Sequence, residues 1–125
     1  MKNKRVARFV KKNGISDTEL CEAVERANRG LVDADLGGGV IKQRIARRGQ
    51  GKSGGFRTVI LFQAQQRAIF LIGFAKNVRQ NITGEELRLA REAARFFLEL
   101  SESAIDAIVA TGELTEVRWH EKTLS

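Results

Sequence analysis

The sequence predicts an α+β fold in which helices precede and follow an antiparallel sheet. Three observations carry that expectation. Ser16 with Glu19, and Thr83 with Glu86, have the spacing of capping boxes, in which side chain and backbone at a helix start satisfy each other. Two segments, 56–63 and 68–75, are rich in β-branched and aromatic residues and apolar on both faces, which predicts central strands. Apolar residues on either side of them recur at the three- and four-residue spacing of a helix.

The elements follow in order. Val6, Phe9 and Val10, with Gly14 behind them, predict a short helix over residues 5–13. After the Ser16 box, Leu20, Ala23, Val24 and Ala27 make one apolar stripe that Gly30 ends. Residues 31–39, LVDADLGGG, read as a loop. Val40, Ile41 and Ile45, alternating with Lys42 and Arg44, predict a strand over 40–47. A glycine-rich connection leads to the two apolar strands, which a turn near Gln65-Gln66 joins. The helix opened by Thr83 is expected to reach about Leu100. Its apolar residues form two stripes, Leu87, Ala90, Ala94, Phe97 and Leu98, and Leu89, Ala93, Phe96 and Leu100, so more than one neighbour is expected. Ser103 and Asp106 begin a further turn or two, ended by Gly112, and the tail LTEVRWHEK alternates only weakly. No repeat, low-complexity stretch or linker divides the chain, so residues 1–125 are read as one domain.

Composition narrows the function. The longest apolar runs, TVILF and AIFLIGFA, are too short to span a bilayer, and no apolar stretch follows the basic N-terminus as in a secretory signal. One cysteine, Cys21, allows no internal disulfide and fits a reducing compartment; a cytoplasmic location is expected. Cys21 is read as a small buried hydrophobe, Phe62, Phe70, Phe96 and Phe97 as core, and Trp119 and His120 as tail packing. The net charge of +7 is unevenly spread: residues 1–80 carry 17 bases and 6 acids, residues 81–125 carry 5 bases and 9 acids. Between Asp35 and Glu85 no acid occurs among Lys42, Arg44, Arg47, Arg48, Lys52, Arg57, Arg67, Lys76 and Arg79. Uncompensated cations concentrate field where a polyanion binds, which points to nucleic acid or another phosphate.

The stretch ARRGQGKS, residues 46–53, misses the phosphate-loop pattern G-x-x-x-x-G-K-[ST] only at Ala46. That loop needs a helix directly after it, whose free N–H groups receive the phosphates. Here GGFRTVILF follows, a strand, and no Asp for Mg²⁺ occurs between Asp35 and Asp106. Nucleoside triphosphate binding is therefore not expected. The glycines are read as permitting a long connection between antiparallel strands.

A hairpin centred on Gln65-Gln66 sets Arg57 opposite Phe74 and Gly55 opposite Lys76, gathering Arg57, Phe74 and Lys76 at one end of one face. Lys52 lies just before this end on the loop, and Asn77 and Arg79 just after it. A one-residue slip of the turn would break the grouping. With no tyrosine, one histidine and no central carboxylate, a carboxylate-bound metal, a carboxylate acid–base pair and a Ser-His-Asp site are all hard to assemble. Lysine and arginine remain. They suit RNA cleavage by its own 2′-hydroxyl, where fixed cations stabilise the charge added in the phosphorane. A desolvated lysine crowded by cations also loses its proton more readily and can serve as base. The alternative is that these cations only bind phosphate backbone.

The stretch GGGVIKQRIARRGQGKSGGFRTVILF, followed by FLIGFAKN, resembles the RelE/HigB-like toxins of bacterial toxin–antitoxin systems over about residues 5–116. The resemblance implies a small twisted antiparallel sheet flanked by N-terminal and C-terminal helices. It also implies a metal-independent endoribonuclease that cuts mRNA in the ribosomal A site, inhibiting translation, with an antitoxin as partner and no cofactor. Arg57 matches the arginine that contacts the scissile phosphate. Lys76 and Arg79 fall on the basic cluster after the last central strand, Lys42 and Arg44 on the basic strand before the loop. Asn77 departs from the family, standing where better-known members have a basic residue, and with no tyrosine Phe74 or Phe56 is left to stack on a base. The candidate catalytic residues are thus Arg57, Lys76 and Lys52. The candidate RNA-binding residues are Lys42, Arg44, Arg47, Arg48, Phe74, Asn77 and Arg79. A non-catalytic nucleic-acid- or partner-binding module is the rival.

Overall fold

Helix starts are set by single capping side chains, and the first and last helices stop at glycines. In a computed structural model that describes residues 1–45 and 55–117, Asn3 opens α1 (Lys4–Asn13) by accepting from the Val6 N–H at 2.8 Å. Gly14 closes it with φ 66°, a left-handed conformation in which glycine has no Cβ to clash. Ser16 opens α2 (Asp17–Asn28) and Thr83 opens α3 (Gly84–Phe97), both with complete capping boxes. Such caps contribute about 1 kcal/mol each. The last helix, α4 (Glu102–Thr111), starts at Ser101, whose hydroxyl accepts from the Ala104 N–H, rather than near Ser103. Gly112 ends it, as expected.

The strands are β1 (Lys2–Asn3), β2 (Ala34–Gly37), β3 (Val40–Ile45), β4 (Phe56–Gln63), β5 (Arg67–Ala75) and β6 (Leu114–Thr115). They form one sheet in the order β2-β3-β4-β5-β1-β6, antiparallel throughout except where β1 runs parallel to β5. The α+β expectation holds, and the two doubly apolar segments are central strands. The loop reading of residues 31–39 is corrected: part of it is β2, an edge strand folded onto β3 through Gly37, Gly38 and Gly39, all at positive φ. β1 and β6 are two residues long, β6 being the start of the weakly alternating tail.

Both sheet faces are covered, which explains why β4 and β5 are apolar on both sides. On one face α1 and α2 pack Val6, Val10, Leu20 and Ala23 against Ile41, Ile45, Phe56, Ile60 and Phe70. On the other, Ala90 and Ala94 of α3 and Ile105 of α4 meet Val40, Val59, Leu61, Ile72 and Phe74. The second apolar stripe is only half covered: Ala93 and Leu100 pack against this core, but Leu89 and Phe96 do not. Leu89 and Phe96 are exposed at 49% and 58%, and Phe96 makes a T-shaped contact with Phe97. Phe70 is buried, Phe62 and Phe97 half-buried, and Cys21 half-buried rather than buried. Among the described residues no helix is long and apolar enough to cross a membrane.

The β4–β5 register differs from expectation twice, and the differences cancel. Gln63 pairs with Arg67, so the turn centres on Gln65 alone, which takes φ 64°. An irregularity between Val59 and Ile60 then leaves Leu71 without a partner across the ladder. Beyond this bulge Val59 faces Ile72 and Arg57 faces Phe74, the pairing expected at the far end of the hairpin.

Candidate functional site

The β3–β4 and β4–β5 ladders align Arg44, Arg57 and Phe74 as successive partners across three strands. Partners in an antiparallel ladder share a face, so the two arginines lie side by side. Like charges directly opposed cost stability, and no carboxylate among the described residues makes an ion pair with either. The opposite face beneath this row is pinned. Gln43 and Thr58 are fully buried partners; the Thr58 hydroxyl donates to the Gln43 carbonyl at 2.9 Å. The Gln43 amide donates to the Ala23 and Leu31 carbonyls and accepts from the Asp33 N–H. A fully satisfied polar group of this kind rigidifies the platform under the arginines.

Arg44 lies past the end of β2, on an edge of β3 that no strand among the described residues covers. Side chains substitute for the missing strand: Asp33 Oδ2 accepts from the Arg44 N–H at 2.5 Å, and Arg26 donates to the Arg44 carbonyl. This closes the edge to pairing with another chain and leaves the Arg44 side chain exposed.

Lys76 follows β5, its N–H donating to the Gly55 carbonyl at 3.3 Å, so it stands beside the start of β4 as expected. Arg57 is half-buried; Lys76 and Asn77 are exposed. Burial therefore does not desolvate Lys76, and the expectation of a desolvated lysine base is not met there. The Ala75 carbonyl accepts from the Val78 and Arg79 N–H groups, which turns the chain back over the sheet. Residues 76–83 then cross the face: Arg79 covers the Phe74 ring, its guanidinium carbon 4.9 Å from the centroid, and Asn81 Oδ1 accepts from Lys42 Nζ at 3.4 Å.

Phe74 and Arg79, both expected to contact RNA, thereby contact each other. Phe74 is 5% exposed beneath Arg79, and Phe56 is equally buried in the core, so neither offers an open face to a base. Arg79 is gripped by Glu86 through both terminal nitrogens, at 2.8 and 3.1 Å. That guanidinium, with the Thr83 N–H behind it, holds the Glu86 carboxyl down at about 2. Arg67 also leaves the basic surface: it is buried and donates to the Phe97 and Leu100 carbonyls and to Glu102. Sequence reasoning saw Glu86 only as a capping residue, because its pairing with Arg79 spans a turn that no periodicity reports. Arg47, Arg48, Lys52, Trp119 and His120 lie outside the described residues. Among the described residues no three His, Cys, Asp or Glu side chains gather as a metal-ligand set.

What the arrangement offers is a row of exposed and half-exposed cations at one sheet end, suited to phosphate. Residues 1–117 of the 125 match the family described as RelE toxin of RelE / RelB toxin-antitoxin system. No curated protein matches the chain. The family match spans every element from β1 to β6 and all the cations of the row. The chain therefore belongs to the RelE toxin family, the toxin half of RelE/RelB toxin–antitoxin systems, and an antitoxin partner is implied.

Proposed function

We propose that this toxin is a metal-independent endoribonuclease that cuts mRNA presented by the ribosome, in the cytoplasm, by attack of the RNA 2′-hydroxyl on the adjoining phosphate. The observation that supports it best is the opposed pair Arg44 and Arg57, with Lys76 beside the same strand end. A sheet that keeps two arginines side by side, neither ion-paired to a carboxylate among the described residues, carries a cost that a bound polyanion offsets. Arg57, half-buried on the pinned platform, holds the scissile phosphate and stabilises its added charge; Lys76, exposed beside it, supplies a second cation. Arg44, with Arg47 and Arg48, binds the RNA backbone, and Lys52 is a third candidate catalytic cation; the last three lie outside the described residues. RNA supplies the nucleophile, so the protein needs no carboxylate base at the row.

The test is cleavage of mRNA on programmed ribosomes, with circular dichroism confirming folded protein. Arg57→Ala is expected to lower the rate about a hundredfold to a thousandfold, as loss of one preorganised charge does. Arg57→Lys should recover little of it, because an ammonium lacks the planar two-pronged grip. A substrate with 2′-deoxy at the cut site should remain whole. Wild-type rates from folded Arg57→Ala and Lys76→Ala would replace this reading with that of a non-catalytic binding module.

A further inference from the structure

Glu86 is the point where the α3 start and the loop after β5 meet. Its Oε1 accepts from the Thr83 N–H at 2.9 Å and from Arg79 Nη1 at 2.8 Å, and its Oε2 accepts from Arg79 Nη2 at 3.1 Å. One carboxylate thus fastens the first turn of a helix to a residue four positions before that helix's N-cap. Arg79 is fixed a second time by the Phe74 ring beneath it. A planar guanidinium held at two nitrogens and along one face has little freedom to move, which an ammonium in its place would retain.

The segment so fixed carries the proposed chemistry. Phe74 is the cross-strand partner of Arg57, and Lys76 lies two residues beyond it. The turn through Lys76 and Asn77 is held by main-chain bonds to Ala75 and Gly55 at its near end and by Arg79 at its far end. We propose that Glu86 is a positioning residue: acting through Arg79, it fixes the Lys76–Asn77 turn relative to Arg57, and Arg79 is a brace rather than a phosphate ligand. Three geometric facts support this. Each terminal nitrogen of Arg79 donates to Glu86, its guanidinium carbon lies over the Phe74 ring, and the carboxylate that accepts from it is itself anchored to backbone. The opposing possibility is that Glu86 only holds Arg79 in reserve and yields it to RNA.

The activity part of the proposal rests on the RNA-cleavage reading, and one variant separates the two. Glu86→Gln keeps an acceptor for the Thr83 N–H, since glutamine serves at this capping-box position, but removes the charge and one of the two acceptors facing Arg79. In the free protein, amide hydrogen exchange at residues 76–80 should quicken about tenfold while the central strands stay protected. On programmed ribosomes the single-turnover rate should fall about tenfold to a hundredfold, with RNA affinity at low salt held within about twofold. Arg79→Lys, which keeps the charge and loses the grip, should behave alike. A Glu86→Gln protein that binds RNA more tightly, with a steeper salt dependence and an undiminished rate, would show that Arg79 is a phosphate ligand and overturn the proposal. Unchanged exchange at residues 76–80 would overturn it as well, even where the wild type cuts RNA. If exchange quickens but the wild-type protein cuts no RNA, the brace stands and the cleavage reading falls.

Discussion

Replacing Arg67 by methionine tests whether a cation from the acid-free segment serves the fold rather than RNA. The Arg67 side chain is 6% exposed and donates to the Phe97 carbonyl at 2.7 Å, the Leu100 carbonyl at 2.9 Å and Glu102 Oε1 at 2.9 Å. Glu102 is 81% exposed, so its carboxylate returns to water when Arg67 is lost, and that pair contributes less than about 1 kcal/mol. The two carbonyls lie where α3 ends, and a cation there satisfies groups that the helix leaves unpaired and complements its dipole. Leaving each without a donor costs about 1–1.5 kcal/mol, given that Phe97 and Leu100 are half-buried and water reaches them in part. Methionine retains most of the apolar stem, so Arg67→Met should lose about 2–3 kcal/mol, a large share of the ~5–15 kcal/mol of an ordinary domain. Urea unfolding followed by circular dichroism measures it, with Glu102→Ala and the double variant completing the cycle. A loss below about 0.5 kcal/mol for Arg67→Met, or a Glu102→Ala variant as damaging as Arg67→Met, would refute the reasoning. RNA affinity per folded molecule should not change.

Gly73 faces α1, where an added Cβ would stand 2.5 Å from Phe9 Cδ2, and the Phe9 ring is held edge-on to Phe56. Gly73→Ala should therefore destabilise by about 1–3 kcal/mol through overpacking, read in the same unfolding assay, and Phe9→Leu should relieve part of it. The Glu86 carboxyl titrates at about 2 when folded against an ordinary 4.5, so its pairing with Arg79 is fully present above pH 4.5 and is lost as the pH falls toward 2. Both partners touch solvent, at 21% and 32% exposure, which limits the contribution to about 1 kcal/mol. The stability gap between wild type and Glu86→Gln should narrow across that window and stay level from pH 5 to 8; a gap that does not change with pH would contradict the assignment.

Features decided within a few residues of chain were legible in the sequence. The Ser16–Glu19 and Thr83–Glu86 boxes, the Gly14 and Gly112 stops and the extent of β4 each depend on neighbours close along the backbone, and each stands where the residues predict. The meeting of Arg57 with Phe74 was legible too, although by two departures that offset one another, a turn centred on Gln65 alone and a bulge at Leu71. Tertiary structure decided which cations remain open. Arg67, Arg79 and Arg57 all lie in the acid-free segment. One is buried at a helix end, one is bound by Glu86, and one stands beside Arg44 with no carboxylate among the described residues paired to it. It also turned Phe96 outward and made edge strands of residues with no strand periodicity. Periodicity reports the face a side chain occupies on its own element, but a charge is neutralised, or an edge covered, by whatever the fold brings across from a distant part of the chain.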